Sequence, residues 1–206
     1  MKQYSAKIPL MLVGVLLMGV SVRLLVYADM GTDPFTTACL ALSARLGCLL
    51  GTAELFANGI LFAVVLLFGR AQIGPGTLAN MVLVGYVADF TGWLLRAAGL
   101  YPPQRMAGRL VLMAAALALF VFAASLYMNA QLGTAPYDAM AFILAKRAPA
   151  LPFRLVRIGW DALWIILTLL AGGRVGPVAL LIALTMGPAV EHVGRWLNQR
   201  IGGTAV

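Results

Sequence analysis

Histidine and cysteine are nearly absent from this chain: the only histidine is His192, and Cys39 and Cys48 stand nine apart in apolar sequence. A cysteine and histidine zinc site cannot be assembled from them, a disulfide framework is not indicated, and both cysteines read as small buried residues. No Gly-x-Ser-x-Gly and no His-Glu-x-x-His occurs, and Gly74-Pro75-Gly76-Thr77 lacks the Gly-Lys-Ser/Thr ending of a phosphate loop. The expectation is no enzyme, no cofactor and no metal. If the chain moves something, an ion gradient or the solute's own gradient must supply the drive.

Charge is scarce as well. Of the 206 residues only 11% are charged and 62% are hydrophobic, against about 25% and about 45–50% in ordinary soluble domains. Such a composition cannot cover itself with a water-compatible surface. Hydrocarbon offers nothing to backbone N–H and C=O groups, so a segment inside it is a helix or part of a closed barrel. The apolar runs, such as Ile8 to Tyr27, Leu110 to Met128 and Leu155 to Leu170, are continuous and lack the alternation of barrel strands. They predict an all-α, polytopic membrane helix bundle in contact with the lipid bilayer.

The net charge of +8 comes from 15 Lys and Arg against 7 Asp and Glu. Loops on the cytoplasmic side of membrane proteins account for it, and no basic run interleaved with aromatics points to nucleic acid. Lys2 and Lys7 before the first apolar run resemble the front of a secretory signal. That run exceeds a signal core and no small-residue cleavage site follows, so it reads as a retained first helix.

Shifting the chain by 102 positions lays Gly31-Thr32-Asp33-Pro34-Phe35 on Gly133-Thr134-Ala135-Pro136-Tyr137 without a gap. The same shift carries Arg45 onto Arg147, Ile73-Gly74-Pro75 onto Val175-Gly176-Pro177, Gly85 onto Gly187, Asp89 onto Glu191 and Gly92 onto Gly194. This reads as an internal duplication, with one membrane repeat over 1–104 and a second over 105–206 in one integrated membrane domain. Four helical segments are expected in each copy, near 8–28, 34–50, 52–69 and 75–96, then 109–129, 136–149, 151–171 and 177–198. The second segment of each copy is short for a 30 Å core, and either spans tilted or dips in and returns.

Charge bears on that choice. If all eight segments cross from a cytoplasmic N-terminus, the inside receives Lys2, Lys7, Arg45, Arg96, Arg105, Arg109, Lys146, Arg147, Arg154, Arg157, Arg195 and Arg200. The outside receives only Arg70 and Arg174. Re-entrant short segments move Arg96, Arg105 and Arg109 outside and weaken this asymmetry, so the positive-inside tendency favours eight crossings, with both termini cytoplasmic. An even number of crossings per copy makes the copies parallel, and an odd number makes them inverted.

Ionisable groups inside a bilayer need a partner or a purpose. Asp161 lies deep in its segment with Arg157 one turn before it, which is either a locally neutralised pair or a substrate or proton site. Asp89 and Glu191 repeat near the ends of the fourth and eighth segments, as coupling groups or as partners of nearby arginines. Glu54 follows Gly51-Thr52 and reads first as a helix-start carboxylate. Asn58 and Asn80 either bind a solute or join helices. Arg23 could snorkel to the interface, and Gly74, Gly76, Gly85 and Gly92 read as helix-packing residues. The starts at Pro34 and Pro136, with Asp33 and Asp138 beside them, place a broken backbone and orphan helix donors at matching points of the two copies. Solute sites in repeat-built transporters do the same, and so does a plain loop-to-helix turn.

The Gly31-to-Phe35 element, Ile73-Gly74-Pro75-Gly76-Thr77-Leu78, Gly85 followed by Asp89, and Gly133-Thr134-Ala135-Pro136-Tyr137-Asp138 resemble the YczE/YyaS/YitT type of small bacterial membrane proteins, the YczE-like group above all. The resemblance covers nearly the whole chain and implies a bacterial inner-membrane protein without catalytic residues to carry over. The chain departs from it where Pro188 has Tyr86 as its first-copy counterpart. The function expected is secondary transport or export of a small organic solute or ion, the alternative a non-transporting membrane subunit or scaffold that binds a partner complex.

Overall fold

The computed structural model describes residues 2–182 together with 193, 195 and 196, with side chains from residue 7 onward. The described residues fold as helices α1 (Lys2–Ala28), α2 (Pro34–Leu46), α3 (Leu50–Phe68), α4 (Pro75–Ala97), α5 (Met106–Asn129), α6 (Pro136–Arg147) and α7 (Phe153–Leu170), with a single 3-10 turn at Arg70–Gln72. Helix resumes over 177–182. Apart from residues 193, 195 and 196, the remainder of the last expected segment, with Gly187, Pro188, Glu191 and Gly194, lies outside the described residues.

Local chemistry sets the boundaries. Asp33 caps α2 by accepting from the Thr36 amide at 2.9 Å, Pro34 takes the first helical position, and Gly47 closes the helix at φ 64°. Proline also opens α4 and α6. Among the described residues four helices are long and apolar enough to cross a membrane: Lys7–Ala28, Leu50–Phe68, Pro75–Ala97 and Met106–Asn129. With α2 at 13 residues and α6 at 12, a rise of 1.5 Å per residue makes them about 20 and 18 Å long, well short of a 30 Å core.

Side-chain contacts fix the directions of the helices. Gly14 of α1 faces Ala123 and Tyr127 of α5, and Asp29 after α1 pairs at 3.0 Å with Arg109 at the start of α5. These two helices are antiparallel. Met18, Arg23 and Tyr27 meet Asn80, Ala88 and Gly92 in ascending order, so α4 runs parallel to α1. Gly51 and Glu54 meet Asp89 and Gly85 in reverse order, so α3 opposes α4. Gly69 lies on Ile143, Val65 shares a buried cluster with Ala139 and Ile143, and Arg147 at the end of α6 covers the Phe68 ring at the end of α3, which makes α6 parallel to α3. Tyr137 and Asp138 meet Asp161 and Arg157, which turns α7 back against α6. Phe35 on Trp164 and Ala41 by Gly173 then align α2 with α7, and hence with α1.

Consecutive helices α1 and α2 thus run the same way with only residues 29–33 between them, as do α5 and α6 with 130–135 between them. The chain must therefore turn back into the bundle after α1 and leave on the face it entered, with α6 doing so from the opposite face. These helix directions do not match the eight-crossing, parallel arrangement favoured by the charges; they match short segments that re-enter and halves that run in opposite senses. Five arginines, at 45, 96, 105, 109 and 174, lie toward the face where α1 ends. The loop charges misled because in this bundle basic residues flank both faces.

Each half locks onto the other through its motif glycines. The Gly76 amide donates to the Leu132 carbonyl at 2.7 Å, and the Val178 amide to the Met30 carbonyl at 3.2 Å. Advancing Gly76 and Met30 by 102 positions gives Val178 and Leu132, so the two bonds exchange under the shift. Gly31, at φ 103°, abuts Gly176, and Gly133, at φ 109°, abuts Gly74. At these loops glycine is needed for backbone-to-backbone approach, where the sequence suggested helix packing. Helix packing does hold for Gly85, which lies against Gly51, while Gly92 makes room for the Arg23 guanidinium.

Candidate functional site

Since α2 and α6 enter from opposite faces, their first turns meet inside the bundle. The rings of Phe35 and Tyr137, each the second residue of its helix, stand 5.0 Å apart, and Trp164 packs on Phe35 at 4.8 Å. Both helix starts carry positive dipole ends and orphan N–H groups, with Asp33 at one and Asp138 at the other. A cavity of about 440 Å³ opens at this junction.

Asp33, Pro34, Asn58, Asn80, Asp138, Arg157 and Asp161 all line it, together with Thr36, Glu54, Tyr127 and Tyr137. On the second-half wall Arg157 bridges two carboxylates, at 2.6 Å to Asp138 and 3.2 Å to Asp161, with its guanidinium 4.9 Å from the centre of the Tyr137 ring. The sequence offered only the partner on its own helix. The Tyr137 hydroxyl donates to Asp161, and Trp160 Nε1 donates to the Tyr137 carbonyl at 3.1 Å. Asp161 is 2% exposed and is met by both a cation and a donor, the condition under which a carboxylate survives burial.

The first-half wall differs. Glu54, 3% exposed, accepts at 3.3 Å from the Thr36 hydroxyl, and no Lys or Arg pairs with it among the described residues. It sits a turn inside α3, not at its cap. Asn58 Oδ1 on this wall, and the Tyr127 hydroxyl that faces the cavity from α5 of the second half, are both buried and have no hydrogen-bond partner. Asn80 Nδ2 reaches Met18 Sδ at 3.8 Å.

Other candidates fall elsewhere. Pro136 is buried as the first residue of α6, behind the cavity surface. Asp89 is outside the lining: it accepts from the Gly51 amide at 2.7 Å and pairs at 3.4 Å with Arg23, which also donates to the Ala88 carbonyl. Arg23 thus points inward and ties α1 to α4, where the sequence suggested a snorkelling side chain, and Asp89 is held by Arg23 instead of Arg96. Glu191 is outside the described residues. Glu54, Tyr127 and Tyr137 were missed as site residues. Glu54 could have been found as an uncompensated carboxylate in an otherwise apolar helix, and Tyr137 from its place in the repeated proline element. Tyr127 carried no signal.

The arrangement can hold a small solute away from water, with carboxylates, the guanidinium groups of Arg157 and Arg195, amides and aromatic faces around it. Compared with known proteins, residues 5–195 match a family of unknown function, DUF6198. The chain is 26% identical over 162 residues to the uncharacterised membrane protein YczE of Bacillus subtilis, covering 76% of this chain and 68% of that protein. It is 25% identical over 191 residues to an uncharacterised protein of Haemophilus influenzae, covering 92% and 83%. It is 24% identical over 190 residues to the uncharacterised protein YyaS of Bacillus subtilis, covering 88% of each. No solved structure matches.

Proposed function

The chain belongs to the DUF6198 family of unknown function, and from that premise we propose that this membrane protein is a secondary transporter or exporter of a small organic solute, with its binding site in the cavity between the α2 and α6 starts. One observation carries the reading: two short helices that run in opposite directions bring their N-termini together around a largely apolar cavity with a few charged and amide side chains. Alternating access is commonly built this way, with the solute held near the midplane at the interface of inverted repeats while one half rocks against the other. The cavity volume falls in the range of small-molecule sites, about 300–1,000 Å³. Asp161 and Glu54 are the groups best placed to couple solute to an ion. We assign the protein to the bacterial inner membrane with its N-terminus in the cytoplasm, and assign it no catalysis.

The test is thermal stability of the purified protein in detergent across amino acids, vitamins, organic cations, organic anions and drugs, at pH 5.5 and 7.5. A ligand at about 100 times its Kd adds about 2.7 kcal/mol. A stabilising compound should also be exchanged by the protein in proteoliposomes, and both effects should be lost in Asp161→Asn. Compounds that bind without being exchanged, or a panel that yields nothing, would favour a non-transporting membrane subunit.

A further inference from the structure

The two walls of the cavity are not equivalent. Among the described residues the charged groups of the second-half wall have partners: Arg157 spans Asp138 and Asp161, and the Tyr137 hydroxyl is given to Asp161, while the Tyr127 hydroxyl of α5 has none. The first-half wall holds two acceptors in want of donors. Glu54 has a single hydrogen bond, from Thr36, and Asn58, one turn along the same face of α3, leaves Oδ1 without a partner at 4% exposure. Asp33 next to them uses one oxygen to cap α2.

A buried carboxylate and a buried carbonyl oxygen that lack donors are expensive to keep, and the i, i+4 spacing of Glu54 and Asn58 turns both toward one ligand group. A protonated amine supplies what is missing, a positive charge and up to three N–H donors in a compact head. The remaining lining near this wall is apolar or aromatic, with Val22, Val84, Phe35 and Phe120. It suits an alkyl or aryl body and adds ring faces to a cation. A carboxylate ligand would meet Glu54 and Asp33 as like charges, and would find the Arg157 guanidinium already bridged and Arg195, the other arginine of the lining, already partnered.

Resting on the transport reading above, we infer that the solute is a small amphipathic organic cation, an amine whose charged head sits on Glu54 and Asn58. The experiment uses two near-isosteric series on the full-length purified protein: benzylamine, benzyl alcohol and benzoate, then hexylamine, hexanol and hexanoate. The amines alone should raise the melting temperature, by several degrees at saturation. Their apparent affinity should fall at least tenfold in Glu54→Gln, less in Glu54→Asp, and measurably in Asn58→Leu. Stabilisation by the anions or alcohols in preference to the amines overturns the amine assignment and leaves the transport reading standing. Amine binding that is unchanged in both Glu54→Gln and Asn58→Leu overturns the placement. Silence of every probe, with no exchange in proteoliposomes, overturns the transport reading and this assignment with it. Should Glu54→Gln not fold, the two wild-type series and Asn58→Leu decide.

Discussion

Tyr137 is where a single atom can be removed and its effect read. Its hydroxyl is the donor to Asp161, a carboxylate that is 2% exposed and otherwise depends on Arg157. Tyr137→Phe keeps the ring stack on Phe35 and deletes only that donor, so stability should fall by about 1.5–3 kcal/mol, the usual range for a hydrogen bond to a charged group. The measurement is an unfolding titration in mixed detergent. Arg23 gives a contrasting case. Arg23→Gln removes the cation beside Asp89, which keeps its bond from the Gly51 amide. The protein should melt lower while ligand affinity at the cavity is unchanged, because neither Arg23 nor Asp89 lines it. A loss of affinity at normal stability would return Asp89 to the candidate coupling groups. At this scale the sequence exposed Asp33, Asp138, Arg157 and Asp161, since charges in apolar helices stand out. Glu54 was obscured by the Gly51-Thr52 pair before it, which mimics a cap, and the fact that α3 begins at Leu50 is a tertiary outcome.

Among elements, the loops that feed α2, α4 and α6 are the stiff points. A Cβ on Gly74 would overlap the Leu132 carbonyl, and one on Gly31 would strike Gly176 at a φ that side chains avoid. Gly74→Ala and Gly31→Ala should therefore each cost about 1–3 kcal/mol, the range for overpacking a close contact. Gly59 in α3 and Gly159 in α7 have open space where a Cβ would go, so Gly59→Ala and Gly159→Ala should be neutral or stabilising by up to about 1 kcal/mol on helix propensity. Melting temperatures of the four variants check the contrast, and equal effects from both pairs would remove the backbone-approach account. The element boundaries were legible because proline, glycine and hydrophobic run length mark them locally. The partner of each glycine was not, because Gly74 meets Leu132 only after the halves interlock.

For the whole molecule, the decisive matter is the sense in which the halves run. Hydrophobic runs and the 102-residue shift made the helices visible, but direction depends on whether short helices cross, and an 18 Å helix reads the same along the chain either way. Positive charge was the available tie-breaker, and the helix directions disagree with it because they place Arg45, Arg96, Arg105, Arg109 and Arg174 together at the face where α1 ends. The pairing of Asp29 with Arg109 is the contact that charge counting could not foresee. The two arrangements separate cleanly in a labelling experiment. With re-entrant α2 and α6, Cys48 and a cysteine at Leu100 open on one face, and a cysteine at Ala150 opens on the other; with eight crossings all three share a face. Leu100 and Ala150 are both exposed, and Leu100→Cys and Ala150→Cys can be placed in a background of Cys39→Ala and Cys48→Ser, with Cys48 restored for the third probe. A membrane-impermeant maleimide added to intact cells should react with the pair Cys48 and Leu100→Cys or with Ala150→Cys, never with all three, and the unlabelled set should react once the membrane is opened. Labelling of all three from one side would mean parallel halves, and the meeting of Phe35 with Tyr137 at the centre of the bundle could then not be sustained.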